Sequence, residues 1–273
     1  MPGTLAFATD TDKLRVQTSI GWQNVQAVNV LADLNPASWW PAATATTTSI
    51  PNAIAGQPSF TGTATAIGVD SAGVSYIQFN GTTNFFTAGT TSSFRYLHDG
   101  RPFTLAMVVD FVTLPGIRAD VLGTANQTAQ VGFQFRWDFT SAVQQGMRYY
   151  TANGTSGQVV LNARDRYPIV GKQIYIARSN GYSQSITDAN AVSAATSLLL
   201  RRSGTLVATG AGNPAAVPTA LSVQTAVLTL GRNPGGASDY ASMRLYELMV
   251  DSKCWTDYQV QQYEQYAKLV YAA

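Results

Sequence analysis

Most of the chain between residues 60 and 250 consists of short β-prone segments separated by turn signals. Apolar and polar residues alternate from Val131 to Asp138, which is the period of a strand with one buried face. The run Phe103–Val112 is almost continuously apolar, as expected of a strand in the middle of a packed sheet. Asn-Gly pairs at Asn80 and Asn153 favour the positive φ values of tight hairpin turns. Many short strands in this arrangement predict an antiparallel sandwich or barrel.

One helix is predicted at the end of the chain. Thr256 can cap its first turn, and Gln259 three residues later completes a capping box. Helical spacing then gives one apolar face, made of Val260, Tyr263, Ala267 and Val270. Because fewer than three heptads are short for a coiled coil, we expect this face to dock on the sandwich.

The first 28 residues are predicted to form a small β-meander. Thr4–Ala8 and Lys13–Thr18 are β-prone and are separated by the turn residues Asp10–Asp12. Three strands this short bury too little surface to stand alone, so we expect this module to serve attachment or oligomerisation. The side chains expected to make the assembly contacts are Leu5, Phe7, Leu14, Val16 and Trp22.

Residues 29–60 are predicted to be a connector with the first strands, and residues 61–273 the main domain with its helix. Within the connector, Asn35-Pro36 and Trp40-Pro41 are expected to break regular structure.

Charged residues make up only 12% of the chain, about half of the share in a typical soluble domain. Sheets with so little charge suit surfaces that neighbouring subunits cover, which favours a homo-oligomer. The net charge of +2 argues against nucleic acid as a partner. No apolar run approaches the roughly 18–20 residues of a membrane span, and no secretion signal is visible at the amino terminus, so membrane insertion is not expected.

Catalytic and metal-binding groups are scarce. The single cysteine and single histidine exclude a disulfide framework and any site that needs two imidazoles. The only glutamates, Glu247 and Glu264, do not form the carboxylate pair of a glycosidase. The sequence therefore predicts a protein that is not an enzyme and has no cofactor. Calcium is the one metal left open, through turn oxygens at Asp70 or at Asp188–Asn190.

The segment Leu5–Val16, LAFATDTDKLRV, followed by Gly21-Trp22, resembles a phrase common in bacteriophage appendage proteins, where it introduces a fibre or lectin-like domain. Arg15 stands where that phrase often has an aromatic residue. The resemblance implies a structural protein located in the virion, either a tail-fibre-like appendage or a head decoration. Its implied partners are other virion proteins and copies of itself, as a homotrimer.

Residues 36–273 resemble a concanavalin A-like jelly roll of the laminin G type. The segments that carry the resemblance are Trp39-Trp40, Gln57-Pro58, Val74–Phe85, Phe103–Val109, Ser203–Ala208, Leu230–Arg232 and Met243–Val250 with the helix that follows. Glu247 matches the structural glutamate of that family's tail, whereas the acidic cluster of legume-type lectins is missing. The resemblance implies an all-β, antiparallel jelly-roll sandwich with the N-terminal meander and one C-terminal helix.

The alternative function is a carbohydrate-binding module that recognises a glycan on the host surface. Such a site uses aromatic rings with polar neighbours, and the chain offers two sets of them. The candidate residues are Trp39, Trp40, Gln134, Arg136, Asp138, Arg148 and Tyr150. A polysaccharide-degrading enzyme is the third hypothesis.

Overall fold

The computed structural model describes residues 5–7, 14–18, 21–24, 30–111, 118–125, 131–141, 144–153, 159–165, 170–181, 198–210 and 226–273. The chain divides into two compact units, Met1–Asn35 and Pro36–Ala273. The domain boundaries predicted after residues 28 and 60 stay predictions.

The first unit contains an antiparallel three-stranded sheet in the order β1-β2-β3. Its elements are β1 Leu5–Phe7, β2 Leu14–Thr18, β3 Gly21–Asn24 and a five-residue helix, α1 Val30–Leu34. The predicted meander is therefore confirmed, whereas α1 was not predicted. The side chains of the predicted assembly residues Leu5, Phe7, Leu14, Val16 and Trp22 lie outside what the structure describes.

The second unit is built from strands and one long helix. In chain order they are β4 Ser38–Pro41, β5 Ser49–Ile50, β6 Phe60–Thr63, β7 Ala66–Val69, β8 Ser75–Asn80, β9 Phe85–Ala88, β10 Phe103–Phe111, β11 Ala119–Gly123, β12 Val131–Ser141, β13 Gln144–Asn153, β14 Val159–Arg164, β15 Gly171–Ser179, β16 Leu198–Arg202, β17 Thr205–Gly210, β18 Leu228–Leu230, β19 Ser242–Asp251 and α2 Asp257–Tyr271. Short 3₁₀ turns occupy Ala42–Thr44 and Arg95–Leu97.

These strands form two eight-stranded sheets. The first has the order β17-β16-β15-β10-β19-β8-β7, with β4 also paired to β19. The second has the order β14-β13-β12-β11-β18-β9-β6-β5. Neighbouring strands run antiparallel, as in the pairs of β10 with β15 and of β12 with β13. The predicted fold class, an all-β antiparallel sandwich of the jelly-roll type, is confirmed.

The core follows the predicted two-residue period. Phe133, Phe135 and Trp137 of β12 belong to the buried apolar cluster, and every residue of β10 is buried. The polar residues that alternate with them on β12 therefore face away from the core. This alternation places the candidate site on the outer face of the second sheet.

The prediction that Trp40-Pro41 breaks regular structure is wrong. Residues Ser38–Pro41 form β4, in which Pro41 lies opposite Glu247 and Trp40 opposite Leu248 of β19. Proline is tolerated here because it is the last residue of a strand at the margin of the sheet, where no amide donor is needed.

Strand β19 contains a β-bulge at Tyr246. Val109 of β10 lies opposite Leu245, but Val108 lies opposite Glu247, so that Tyr246 is one extra residue. Leu245 and Leu248 both belong to the core cluster, and Tyr246 and Glu247 between them do not. The bulge therefore turns two consecutive side chains to the outer face of the first sheet.

The C-terminal helix begins as predicted. Thr256 Oγ1 accepts from the amide of Gln259, and the Gln259 side chain accepts from the amide of Thr256, which completes the capping box. Val270, predicted to be buried, is 45% exposed, and Tyr271 takes its place. The reason is geometric, because Tyr271 lies four residues after the buried Ala267. No helix in the described residues is long and apolar enough to cross a membrane.

Candidate functional site

A row of charged side chains crosses four strands on the outer face of the second sheet. Asp120 on β11 lies opposite Arg136 on β12, and Arg136 lies opposite Arg148 on β13. Arg148 in turn lies opposite Arg164 on β14. Like charges directly opposite one another are unfavourable. Three adjacent arginines therefore require anions beside them.

The anion beside all three arginines is Asp138. Its Oδ1 is 3.2 Å from Nη2 of Arg136, and its Oδ2 is 3.2 Å from Nη1 of Arg148. Nη1 of Arg164 lies 3.6 Å from the same Oδ2. Counting Asp120 as well, the side chains that define the row are three arginines and two aspartates, an excess of one positive charge among them.

The buried part of this cluster is a closed network of hydrogen bonds. Arg136 Nη1 donates to Gln134 Oε1 at 3.2 Å and to the Tyr150 hydroxyl at 3.1 Å. Tyr150 donates to Gln134 Oε1, and Gln134 Nε2 donates to Asp120 Oδ2 at 3.1 Å. The guanidinium groups of Arg136 and Arg148 both contact the Tyr150 ring, with their Cζ atoms 4.7 and 4.8 Å from its centre. Burial raises the pKa of Tyr150 to about 12, which keeps its hydroxyl a neutral donor.

A fourth arginine closes one end of the row. Arg118 Nε lies 3.7 Å from Asp120 Oδ1, and Arg118 also pairs with Asp239. Burial raises the pKa of Asp120 to about 7, so this carboxyl gains a proton near neutral pH. The positive excess of the surface therefore grows as the pH falls through 7.

We call this surface the arginine face and define it by Arg118, Asp120, Gln134, Arg136, Asp138, Arg148, Tyr150, Arg164 and Asp239. Its centre is buried, whereas the side chains of Arg118, Arg148 and Arg164 are 21%, 19% and 17% exposed. A ligand at this surface would meet guanidinium groups first.

Five of the predicted site residues, Gln134, Arg136, Asp138, Arg148 and Tyr150, are brought together in the arginine face. Sequence reasoning missed the other four, Arg118, Asp120, Arg164 and Asp239. These residues are separate in the sequence, and only the pairing of β11 and β14 with their neighbours brings Asp120 and Arg164 into the row.

The two predicted tryptophans lie elsewhere. Trp40 is fully buried, its ring centre is 4.8 Å from that of Phe60, and its Nε1 donates to the carbonyl of Pro58 at 3.0 Å. It is a core residue, and the prediction that it stacks on a sugar is wrong. Trp39 Nε1 donates to Glu247 Oε2 at 2.7 Å. Both belong to β4, which pairs with the first sheet, so neither joins the arginine face.

The two predicted calcium positions have different outcomes. Asp70 Oδ1 accepts from the amides of Ala72 and Val74, each at 2.9 Å, and its Oδ2 pairs with Lys172 Nζ at 2.6 Å. A lysine therefore occupies the place that a cation would take. Residues 188–190 lie outside the described residues. Within the described ranges, no group of three His, Cys, Asp or Glu side chains could hold a metal.

No protein-family model matches the chain, and no curated protein matches it. Several solved structures share its fold. A Trypanosoma rangeli sialidase in complex with 2,3-difluorosialic acid matches 94% of this chain and 43% of its own, at 9% identity and a TM-score of 0.58. A structure of botulinum neurotoxin type C, whose cell entry depends on interaction with two ganglioside molecules, matches 86% of this chain and 52% of its own, at 8% identity and a TM-score of 0.59.

The binding domain of botulinum neurotoxin serotype D/C matches 85% of this chain and 52% of its own, at 6% identity and a TM-score of 0.57. The chain thus spans about half the length of these proteins or less. At such identities the likeness shows the fold alone, and it does not show a phage origin.

These similarities contradict the prediction that the chain is not an enzyme, because sialidases share its fold over 94% of its length. The scarcity of glutamates argued only against glycosidases that use two carboxylates. Sialidases do not follow that scheme, since their nucleophile is a tyrosine. The likeness assigns no activity to this chain.

Proposed function

We propose that the chain is a carbohydrate-binding module whose arginine face recognises acidic glycans. The observation that carries the proposal is the row of Arg136, Arg148 and Arg164, whose guanidinium groups all lie within 3.6 Å of the Asp138 carboxylate. A guanidinium group presents paired donors that match a carboxylate, and such charge-assisted bonds are strong. A sugar carboxylate would accept from the guanidinium groups of Arg148 and Arg164, whose side chains are 19% and 17% exposed.

The structural neighbours support the acidic character of the ligand. One T. rangeli sialidase structure contains sialic acid, and the type C neurotoxin interacts with gangliosides. Sialic acid carries a carboxylate beside several hydroxyl groups. The proposal therefore names a sialylated glycan as the first ligand to test.

We expect the full chain to bind sialyllactose at least about 10-fold more tightly than lactose, because only sialyllactose supplies the anion. Arg148→Met keeps the aliphatic stem and removes the guanidinium, so it should weaken sialyllactose binding about 10-fold, which corresponds to about 1.4 kcal/mol. Isothermal titration calorimetry at low salt measures the affinity for each ligand and the change in the Arg148→Met variant. Binding should also tighten from pH 8 to pH 6, as Asp120 gains its proton.

Arg101→Met is the matched control, since Arg101 is 52% exposed and pairs with Asp99 away from the arginine face. This variant should bind sialyllactose like the original chain. Equal affinity for lactose and sialyllactose, or equal losses in the two variants, would remove the acidic-glycan proposal.

We also propose, as a second function, an assembly role in which the N-terminal meander joins copies of the chain in a virion. The phage-like phrase at Leu5–Val16 supports it, together with the small size of a three-stranded sheet that buries little surface alone. Light scattering of the full chain should then give the mass of three chains. A chain that lacks residues 1–28 should give the mass of one, and monomers in both samples would contradict this role.

A further inference from the structure

A second positive group lies on the outer face of the second sheet, beyond the residues of the arginine face. Arg232 follows β18, and its guanidinium lies over the ring of Phe85 on β9, with Cζ 3.4 Å from the ring centre. Phe86, the next residue of β9, belongs to the core cluster. Because successive side chains of a strand alternate between its two faces, the Phe85 ring points outward and carries Arg232 on its outer side.

The strand register connects this position with the arginine face. Thr87 on β9 lies opposite Thr229 on β18, and Thr229 lies opposite Gly123 on β11. Gly123 in turn lies opposite Gln134 on β12, which belongs to the arginine face. Phe85 stands two residues before Thr87 and therefore has the same orientation. The second positive group and the arginine face thus lie on one side of the same sheet.

Arg232 has no counter-ion among the described residues, and it makes no hydrogen bond there. The residue is partly exposed, and of its three side-chain nitrogens only Nε is closed to solvent. Both Nη groups are therefore open to a ligand. Partial burial of a charged group is costly unless an anion pairs with it, so an anionic ligand at the Nη groups would stabilise this arginine.

The surface between the two positive groups is formed by a short loop. Pro234 of this loop lies against Gly123 of β11, where an added Cβ would be 3.2 Å from its Cγ. Residues 235–238 form an exposed tip that has no charged side chain. The next residue, Asp239, already pairs with Arg118. A polyanion that crosses this loop therefore meets no unpaired carboxylate in it.

We propose that Arg232 is a second anion subsite for the same ligand, and that this ligand is a linear glycan with a carboxylate on successive sugars. The inference rests on the acidic-glycan proposal and narrows it from a single terminal acid to a repeated one. Arg148 on β13 and Phe85 on β9 are four strand spacings apart, or about 19 Å. One sugar acid is too short to reach both subsites, whereas a chain of several occupies them together. The second contact is then intramolecular and raises the affinity without changing the first.

The test compares α2,8-linked oligomers of sialic acid with two and with eight residues, by isothermal titration calorimetry on the full chain. The eight-residue oligomer should bind at least about 10-fold more tightly, because it is long enough to reach Arg232. Arg232→Met keeps the aliphatic stem on the Phe85 ring and removes the guanidinium. It should weaken the eight-residue oligomer about 10-fold and leave the two-residue oligomer and sialyllactose unchanged. Arg232→Lys keeps the charge and should retain most of the eight-residue affinity.

Arg101→Met removes one positive charge away from both subsites, so it should bind both oligomers like the original chain. Failure of the original chain to bind sialyllactose would remove the acidic-glycan proposal and this inference with it. If sialyllactose binds, three results overturn the inference alone. These are equal affinities for the two oligomers, equal losses in Arg232→Met and Arg101→Met, or a loss of two-residue binding in Arg232→Met.

Discussion

Replacing Glu247 with alanine is expected to lower the free energy of unfolding by about 3–5 kcal/mol, because several buried donors would lose their only common acceptor. Glu247 is fully buried and accepts from four side chains. Trp39 Nε1 and the hydroxyls of Tyr266 and Tyr271 reach its Oε2 at 2.7, 3.1 and 2.6 Å, and the Tyr263 hydroxyl reaches its Oε1 at 3.0 Å.

This carboxylate holds the last helix on the sandwich. Three of its donors belong to α2 and one to β4, while Glu247 itself belongs to β19. No cation pairs with it among the described residues, and burial raises its pKa. Among the described residues the buried Glu247 carboxylate is therefore stabilised by hydrogen bonds alone. Alanine offers no acceptor for these four donors.

Thermal unfolding followed by near-ultraviolet circular dichroism measures the effect, and a loss of about 3–5 kcal/mol in a unit of this size corresponds to about 10 °C. Glu247→Gln keeps the shape and one acceptor, so it should lower the free energy of unfolding distinctly less than alanine does. Gln265→Ala, at an exposed position of the same helix, is the control and should leave the midpoint unchanged. A Glu247→Ala midpoint equal to that of this control would refute the anchoring role.

Lowering the pH from 7 to 4 is expected to remove about 3 kcal/mol of stability through His98 alone. His98 is 1% exposed, and neither imidazole nitrogen has a hydrogen-bond partner in the described residues. Burial lowers its pKa from 6.5 to about 4, and the neighbouring Asp99 only partly opposes this. The folded protein therefore keeps this imidazole neutral where the unfolded chain would protonate it.

The sign follows from the two pKa values. Between pH 6.5 and pH 4 the unfolded chain binds a proton at His98 that the folded chain does not, so the free energy of unfolding rises with pH across this window. The contribution is complete above pH 6.5 and is lost as the pH falls towards 4. About 2 kcal/mol should already be gone at pH 5.

Urea denaturation at several pH values between 7 and 4.5 measures this slope. His98→Phe removes the titrating nitrogens and suits a buried position, so it should flatten the slope and leave the chain at least as stable at pH 5 as the original. The difference between the two proteins isolates His98 from the carboxylates that titrate in the same range. Parallel slopes in both proteins would show that His98 does not contribute.

The sequence predicted the parts of the site that follow from the alternation of inward and outward side chains along a single strand. Alternation along β12 correctly separated Gln134, Arg136 and Asp138 from the core residues between them. It could not reveal that Asp120 and Arg164 complete the same row, because strand neighbours are chosen by pairings distant in sequence.

Aromatic residues were the least predictable part of the site. Nothing local distinguishes a tryptophan that fills the core, such as Trp40, from one that is available to a ligand. The role of Glu247 was anticipated as structural from a family resemblance, but its four donors were not. They converge on it only because the extra residue in β19 turns its side chain outward.

That extra residue also sets a rule for the evolution of this chain. Strand β19 pairs with β10 along one side and with β8 and then β4 along the other, and Tyr246 stands where the second set of partners changes. Deleting one residue there would remove the bulge and restore strict alternation, which keeps Leu245 and Leu248 in the core but leaves a single outward side chain in place of Tyr246 and Glu247. An alignment of distant relatives that opens a gap at Tyr246–Glu247 marks a protein that lacks either the Tyr246 ring or the carboxylate that holds α2.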